Sequence, residues 1–255
     1  MIKIRDTDHM EYMEGMEKSD HSIMNKVLKM TDEYDYRRYN AIDVKNVLNK
    51  ETLGAEDLAV LLSPSAEPLL EKMARRAKIE TAKHFGNTVC MFTPLYIANY
   101  CENYCVYCGF NCSNKIRRGK LSIDEIESEY KTISETGLRE ILLLTGESKS
   151  ASPVEYIAEA VSLAKKYFST IGVEVYPMNS DEYAVLRKAG ADFVSVYQET
   201  YNTVKYEEVH LRGPKRVFPY RFSSQERALM GGMRGVAFGS LLGPVSYTHL
   251  TLPTT

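Results

Sequence analysis

Cysteine is scarce in this chain, charge is nearly balanced, and apolar runs are short. Five cysteines in 255 residues are too few for a disulfide framework. No signal-peptide pattern opens the sequence, so the thiols are expected in a reducing cytosol. A formal net charge of -2 gives no reason to expect nucleic acid as a partner. The longest apolar runs, such as Ile141-Leu142-Leu143-Leu144, are far shorter than a bilayer span, and no membrane partner is expected. A glycine-rich phosphate fingerprint after the first strand is missing, which argues against a dinucleotide-binding sheet. So is a second CxxC pair of the kind zinc knuckles favour. What remains, at 44% hydrophobic and 26% charged residues, can bury one full core behind a helical prefix.

Three of the five cysteines are concentrated in one place. Cys101, Cys105 and Cys108 lie in the run Cys-Glu-Asn-Tyr-Cys-Val-Tyr-Cys, a CxxxCxxC spacing. Three thiolates on one loop can hold three irons of a cubane cluster and leave the fourth iron without a protein ligand. A ferredoxin closes that iron with a fourth cysteine, whereas an enzyme that cleaves S-adenosylmethionine keeps it free for the cofactor's amino and carboxylate groups. Zinc is the alternative for the same thiolates, with Cys112 or His84 near enough in sequence to be a fourth ligand. Cys112 is nevertheless not expected to bind, and Cys90, within an apolar stretch, reads as a buried small hydrophobe. The basic cluster Lys115, Arg117, Arg118 and Lys120 reads first as a solvated face, and second as a surface that steers an anionic cofactor or an acidic electron donor.

Residues 1–88 read as a helical N-terminal extension without chemical motifs, including an amphipathic run from Ala66 to His84 stopped by Gly86. From Thr88 onward short apolar strands alternate with helices. The expected strands are Val89 to Ile97, Glu140 to Leu144, Val173 to Tyr176, Asp192 to Tyr197 and Val236 to Leu241. Helix starts are marked by Ser122 with Glu125, Ser152 with Glu155, Asn179 with Glu182 and Ser223 with Glu226, each a capping-box spacing, and Pro153 suits a first helical position. Gly137, Gly190 and Gly231 fall where the C-caps belong. Successive βα units of about thirty residues mean a parallel sheet. The chemical residues all follow strand ends, the face on which a βα barrel builds its site.

From about Phe85 to Gly243 the sequence resembles the aromatic amino acid lyases of the radical SAM superfamily, most of all their tyrosine lyase branch of thiamine biosynthesis, the 2-iminoacetate synthases. The segments that carry it are Phe-Gly-Asn-Thr-Val (85–89), Pro-Leu-Tyr (94–96), the cysteine loop continued as Gly-Phe-Asn-Cys-Ser-Asn-Lys-Ile, Leu-Leu-Leu-Thr-Gly-Glu (142–147) and Val-Tyr-Gln-Glu-Thr-Tyr (196–201). A weaker likeness reaches Leu-Leu-Ser-Pro-Ser-Ala (61–66). The resemblance implies a radical SAM-type, TIM-like (βα) barrel at residues 89–243, with a 4Fe-4S cluster and S-adenosyl-L-methionine as cofactors. It implies cleavage of the Cα–Cβ bond of L-tyrosine to 2-iminoacetate and p-cresol, a flavodoxin or ferredoxin as electron donor, and thiazole synthase as a receiver of the imine.

In that pattern Cys101, Cys105 and Cys108 hold the cluster. Glu147, beside Gly146 in the glycine-rich cofactor motif, accepts from the cofactor's ammonium, and Tyr107 offers contacts to its adenine. The substrate's ammonium and carboxylate need partners of their own once desolvated. Glu199, Gln198 and Tyr201 at one strand end, His210 with Arg212 on a polar loop, and Tyr96 are the candidates. After Gly243 the threonine-rich residues 244–255 leave the family pattern, so the sequence reads as a C-terminally truncated barrel with a non-family tail. The tyrosine lyase of [FeFe]-hydrogenase maturation, tryptophan lyase and a non-catalytic cluster-binding fragment remain alternatives.

Overall fold

The computed structural model describes residues 7–243, so the tail at 244–255 lies outside the described residues. Two compact units divide the chain, one of residues 26–90 and one of residues 7–25 together with 91–243. Residues 7–25 therefore belong with the sheet-bearing unit, which their lack of motifs gave no means to see. Helix α1 (Ser22–Asp32) spans the division.

The smaller unit is helical: α2 (Ala41–Leu48), α3 (Ala55–Leu61) and α4 (Leu70–Phe85). Asn40 caps α2 through its side chain, 2.8 Å from the Ile42 N–H, and Asp43 returns the bond to the Asn40 N–H at 2.9 Å. Val44, Val47, Val60, Ala66 and Leu69 form its core. The expected run from Ala66 starts as a 3-10 turn, Pro64–Leu69, because Pro68 has no N–H to give an α-helix. It stops at Gly86 as expected, with φ at 60°.

The larger unit runs β1 (Phe92–Ala98), β2 (Tyr104–Cys105), α5 (Ile123–Glu135), β3 (Glu140–Thr145), α6 (Val154–Ala164), β4 (Thr170–Glu174), α7 (Ser180–Ala189), β5 (Phe193–Ser195), α8 (Thr203–Val209), β6 (His210–Arg212), α9 (Phe218–Phe222), α10 (Ser224–Met230) and β7 (Gly235–Ala237). Five strands form a parallel sheet in the order β1-β3-β4-β5-β7, with Phe92 opposite Glu140, Leu142 opposite Gly172, Val173 opposite Val194 and Val194 opposite Val236. All five expected strands have a counterpart, but the third runs Thr170–Glu174 rather than Val173 to Tyr176, and the last ends at Ala237 rather than Leu241. The first begins at Phe92 rather than Val89, and Cys90 is exposed rather than buried, which corrects its reading as a core residue.

Strand alternation sorts the two faces. Ile141, Leu143, Ile171, Val173 and Val194 join the buried core with Ile126 and Tyr130 of α5, Ile157 and Val161 of α6, and Tyr183 and Leu186 of α7. The other face carries Tyr96, Leu142, Leu144, Gly172, Glu174 and Ser195. It is the inner face, turned away from these helices.

Two of the four capping signals hold in part or in full. Ser122 accepts from Glu125 N–H at 3.2 Å, and the Glu125 carboxylate accepts from Ser122 N–H at 2.7 Å. Glu182 accepts from Asn179 N–H at 3.0 Å, but the Asn179 amide oxygen is turned to the Glu17 N–H at 3.0 Å and the Tyr220 hydroxyl at 2.9 Å. Ser152 is not a cap: Pro153 takes that place, and the buried Ser152 Oγ has no partner. Nor does the Ser223 side chain cap α10. Its hydroxyl donates back to the Pro219 carbonyl at 2.9 Å and accepts from Arg227 at 2.7 Å.

Candidate functional site

β1 delivers the chain into the cysteine loop, which backbone bonds fasten on several sides. Glu102 N–H donates to the Glu147 carbonyl at 3.0 Å, Val106 N–H to Val209 at 3.0 Å and Cys112 N–H to Asn103 at 2.9 Å. Arg118 is a clasp rather than part of a solvated face: its guanidinium donates to the carbonyls of Asn99 (2.7 Å), Phe110 (3.0 Å) and Asn111 (2.8 Å). Lys120 lies 4.0 Å over the Tyr156 ring, and Lys115 and Arg117 stay exposed.

Burial pushes the Cys105 thiol up to about 12, the Lys215 charge offsetting only part of it. Cys101 is also raised, by burial and then by the Glu147 charge. Thiolates in such surroundings need a bound cation to exist. Among the described residues no three His, Cys, Asp or Glu side chains converge to hold a single ion. With Cys90 and Cys112 exposed, Cys101, Cys105 and Cys108 are a three-thiol donor set that would hold a 4Fe-4S cluster and leave one iron open. Cys112, a fourth ligand considered for zinc, is exposed.

Beside the loop, the inner face holds a compact set of charges. Glu147 Oε1 accepts from Arg221 at 2.9 Å and lies 3.7 Å from Lys215, while Oε2 accepts from Asn103 at 3.0 Å. Burial raises the Glu147 pKa, but Arg221, Lys215 and these hydrogen bonds outweigh it and leave the carboxylate below its ordinary value. Gly146 has no room for a side chain, because a Cβ would run into the Tyr100 carbonyl. That contact lets the end of β3 lie against the cysteine loop and is reason enough for a glycine there.

Lys215 also donates to Glu199 at 2.8 Å. Glu199 has φ at 70°, the one described non-glycine residue with positive φ, a conformation held by its surroundings. Glu174 completes the set at the end of β4: burial raises its carboxyl, with Glu199 adding to the rise and Arg221 opposing it. Three carboxylates thus face two buried cations.

Other expected site residues are placed differently. Gln198 is buried with neither amide atom partnered. The half-buried Tyr201 packs edge-on to Phe222 at 5.8 Å, and Tyr96 is 50% exposed on the inner face against Phe110. His210 does not lie on a polar loop. It is a fully buried residue of β6, with its ring between Tyr107 and Tyr206, while Arg212 is exposed. Sequence reasoning missed Asn103, Glu174, Lys215 and Arg221. Glu174, a carboxylate between two valines in a buried strand, was the one with a signal.

Comparison with known proteins agrees with this geometry. Residues 95–244 match the family model of the radical SAM superfamily. The chain is 39% identical to 2-iminoacetate synthase of Escherichia coli over 203 residues, which is 80% of this chain and 54% of that protein. It is 31% identical to 3-methylornithine synthase of Methanosarcina barkeri over 71% of this chain and 53% of that protein. The chain thus spans about half the length of these relatives. Among solved structures, HydG, a maturase of the [FeFe]-hydrogenase, superposes with a TM-score of 0.77 at 28% identity, covering 91% of this chain and 52% of that one. The superfamily's cofactors are a 4Fe-4S cluster and S-adenosylmethionine. With the family model covering more than half its length and its three thiols at the head of an inward-facing charged site, the chain belongs to the radical SAM superfamily.

Proposed function

We propose that the chain is the barrel portion of a tyrosine lyase that breaks the Cα–Cβ bond of L-tyrosine to give 2-iminoacetate and p-cresol. The observation that carries the reading is the 39% identity to 2-iminoacetate synthase over 80% of this chain. When bound, the cluster and S-adenosylmethionine supply a 5'-deoxyadenosyl radical that abstracts hydrogen from the substrate.

The residues of this chain bind, orient and shield. Cys101, Cys105 and Cys108 hold the cluster. Cofactor and substrate both bring an ammonium and a carboxylate, and a desolvated zwitterion binds well only when both ends are paired. Glu147 and Glu199 are the acceptors for ammonium groups and Arg221 and Lys215 the donors for carboxylates, each already poised against the other. Tyr107, beside Cys108, borders the cofactor. L-tyrosine is the substrate, a low-potential flavodoxin or ferredoxin the donor, and thiazole synthase a receiver of the imine; the cytosol is the compartment that suits the free thiols. Among the described residues no helix is long and apolar enough to cross a membrane.

The HydG likeness supports a second reading, hydrogenase maturation, on the same inner face. Identity of 39% against 28% favours the first. The test is anaerobic reconstitution of the chain, extended by the C-terminal half of the Escherichia coli relative, followed by assay of 5'-deoxyadenosine and p-cresol with L-tyrosine. Both products are expected. A cluster-loaded extended chain that makes neither would reduce this protein to a cluster-binding fragment.

A further inference from the structure

His210 is fully buried, yet both ring nitrogens are engaged: Nδ1 lies 2.9 Å from the Tyr206 carbonyl and Nε2 lies 2.7 Å from the Tyr107 hydroxyl. A carbonyl oxygen only accepts, so in the neutral imidazole Nδ1 carries the ring proton and Nε2 is the acceptor. The Tyr107 hydroxyl therefore donates to His210. Tyr107 stands immediately before Cys108 and two residues after Cys105.

The backbone repeats this attachment. Cys105 pairs with His210 and Tyr104 with Arg212 in the short β2-β6 ladder, and Val106 N–H donates to the Val209 carbonyl at 3.0 Å. Just beyond β6, Lys215 N–H donates to Asn103 Oδ1 at 2.8 Å. One strand thus grips the loop on both sides of Cys105, and the histidine ring adds the grip nearest Cys108. The Tyr107 ring meets the imidazole edge-on at 5.6 Å, and the Tyr206 ring lies 4.0 Å away.

We propose that His210 is a positioning residue for the cysteine loop, holding Tyr107, and through it Cys108, in place by accepting the Tyr107 hydroxyl. The reading rests on the loop being the cluster site. Its logic is that a ligand loop held in shape beforehand loses less freedom when it closes on a cluster and releases iron more slowly. The ring reaches the cysteine loop through Tyr107.

The test takes as parent the chain extended by the C-terminal half of the Escherichia coli relative and compares it with Tyr107→Phe, His210→Phe, the double variant and His210→Gln in that same background. Without metal, amide exchange is followed across residues 104–108. After anaerobic reconstitution, iron release to a chelator and the electron paramagnetic resonance spectrum of the reduced cluster are recorded. Either single variant should speed exchange and iron release by roughly fivefold, the factor an ordinary buried hydrogen bond supplies. The double variant should be no worse than the singles, and His210→Gln, which keeps a donor and an acceptor, should recover part of the loss. The cluster spectrum should shift in both single variants. Parent-like exchange, release and spectrum in Tyr107→Phe would overturn the proposal, as would fully additive effects in the double variant. If His210→Phe fails to fold, Tyr107→Phe decides alone, since it removes one oxygen. A parent chain that takes up no cluster would count against the proposed function, while the exchange data still judge the histidine.

Discussion

Glu147 makes three hydrogen bonds or ion contacts before any ligand arrives, to Arg221, Lys215 and Asn103. A carboxylate so held is fixed in direction, as the proposed role toward the cofactor's ammonium requires. Glu147→Gln in the extended chain is expected to lower S-adenosylmethionine affinity by about tenfold or more, the scale of a charged hydrogen bond, while the cluster absorbance stays unchanged. Titration calorimetry with the cofactor checks it, and unaltered affinity would leave Glu147 with a purely structural role. Cys101→Ser, Cys105→Ser and Cys108→Ser should each abolish the 4Fe-4S absorbance of reconstituted protein, and the exposed Cys112→Ser should not. Iron and zinc analysis separates the two metals. The cysteines and Glu147 were legible in the sequence because each motif is local. Lys215 and Arg221 were not, because they reach Glu147 only when residues 68 and 74 positions further along the chain fold back over the strand ends. His210 was visible as a histidine, but only burial and its two partners show which side of the site it serves.

Secondary-structure elements were readable to the extent that their signals are short-range. The sheet came through because short apolar runs such as Ile141-Leu142-Leu143-Leu144 mark buried strands directly. Capping signals divide according to competition for the side chain. Ser122 is free to cap α5, whereas Ser223 is claimed by Arg227 and Pro219, and Pro153 displaces Ser152 from the cap position. Ser122→Ala should therefore destabilise the folded chain by about 1 kcal/mol. Ser152→Ala should cost nothing and even stabilise, since it deletes a buried hydroxyl without a partner. Chemical denaturation of the two variants beside the parent distinguishes them, and equal losses would mean that Ser152 makes a bond the structure does not contain. The segment before α1 is the element with no local signal. Glu17 accepts from Ser180 N–H at 2.6 Å and from its hydroxyl at 3.0 Å, taking over the start of α7 that Asn179 leaves unserved. Thr7 and His9 lend carbonyls to Arg216 and Phe218, each at 2.8 Å. These contacts join residues more than 160 positions apart, beyond the reach of any pattern read along the chain.

At the scale of the molecule, the parallel sheet has two edge strands among the described residues: β1 pairs with no strand but β3, only its end being bridged by Ala98 to Lys120, and β7 with none but β5. Large apolar side chains stand in solvent near both edges. Phe92 is 54% and Tyr96 50% exposed at β1, while Phe238 is 67% and Leu242 69% exposed beyond β7. Unpaired strand edges beside apolar side chains invite association between chains. An inner face that water reaches is also a poor container for a radical, because a closed barrel protects such chemistry largely by excluding solvent. The relatives are about twice as long as the stretch this chain matches, which is the order of sequence needed to add the remaining staves. The 255 residues alone are therefore expected to elute as heterogeneous aggregates and to make little p-cresol, even with a full cluster. The chain extended by the C-terminal half of the Escherichia coli relative should elute as one discrete species and turn over L-tyrosine. Size-exclusion chromatography and p-cresol assay on the two proteins, reconstituted side by side, decide the matter. A monodisperse short chain with the full turnover of the extended one would mean that five strands suffice and that the open edges shelter the site in some other way.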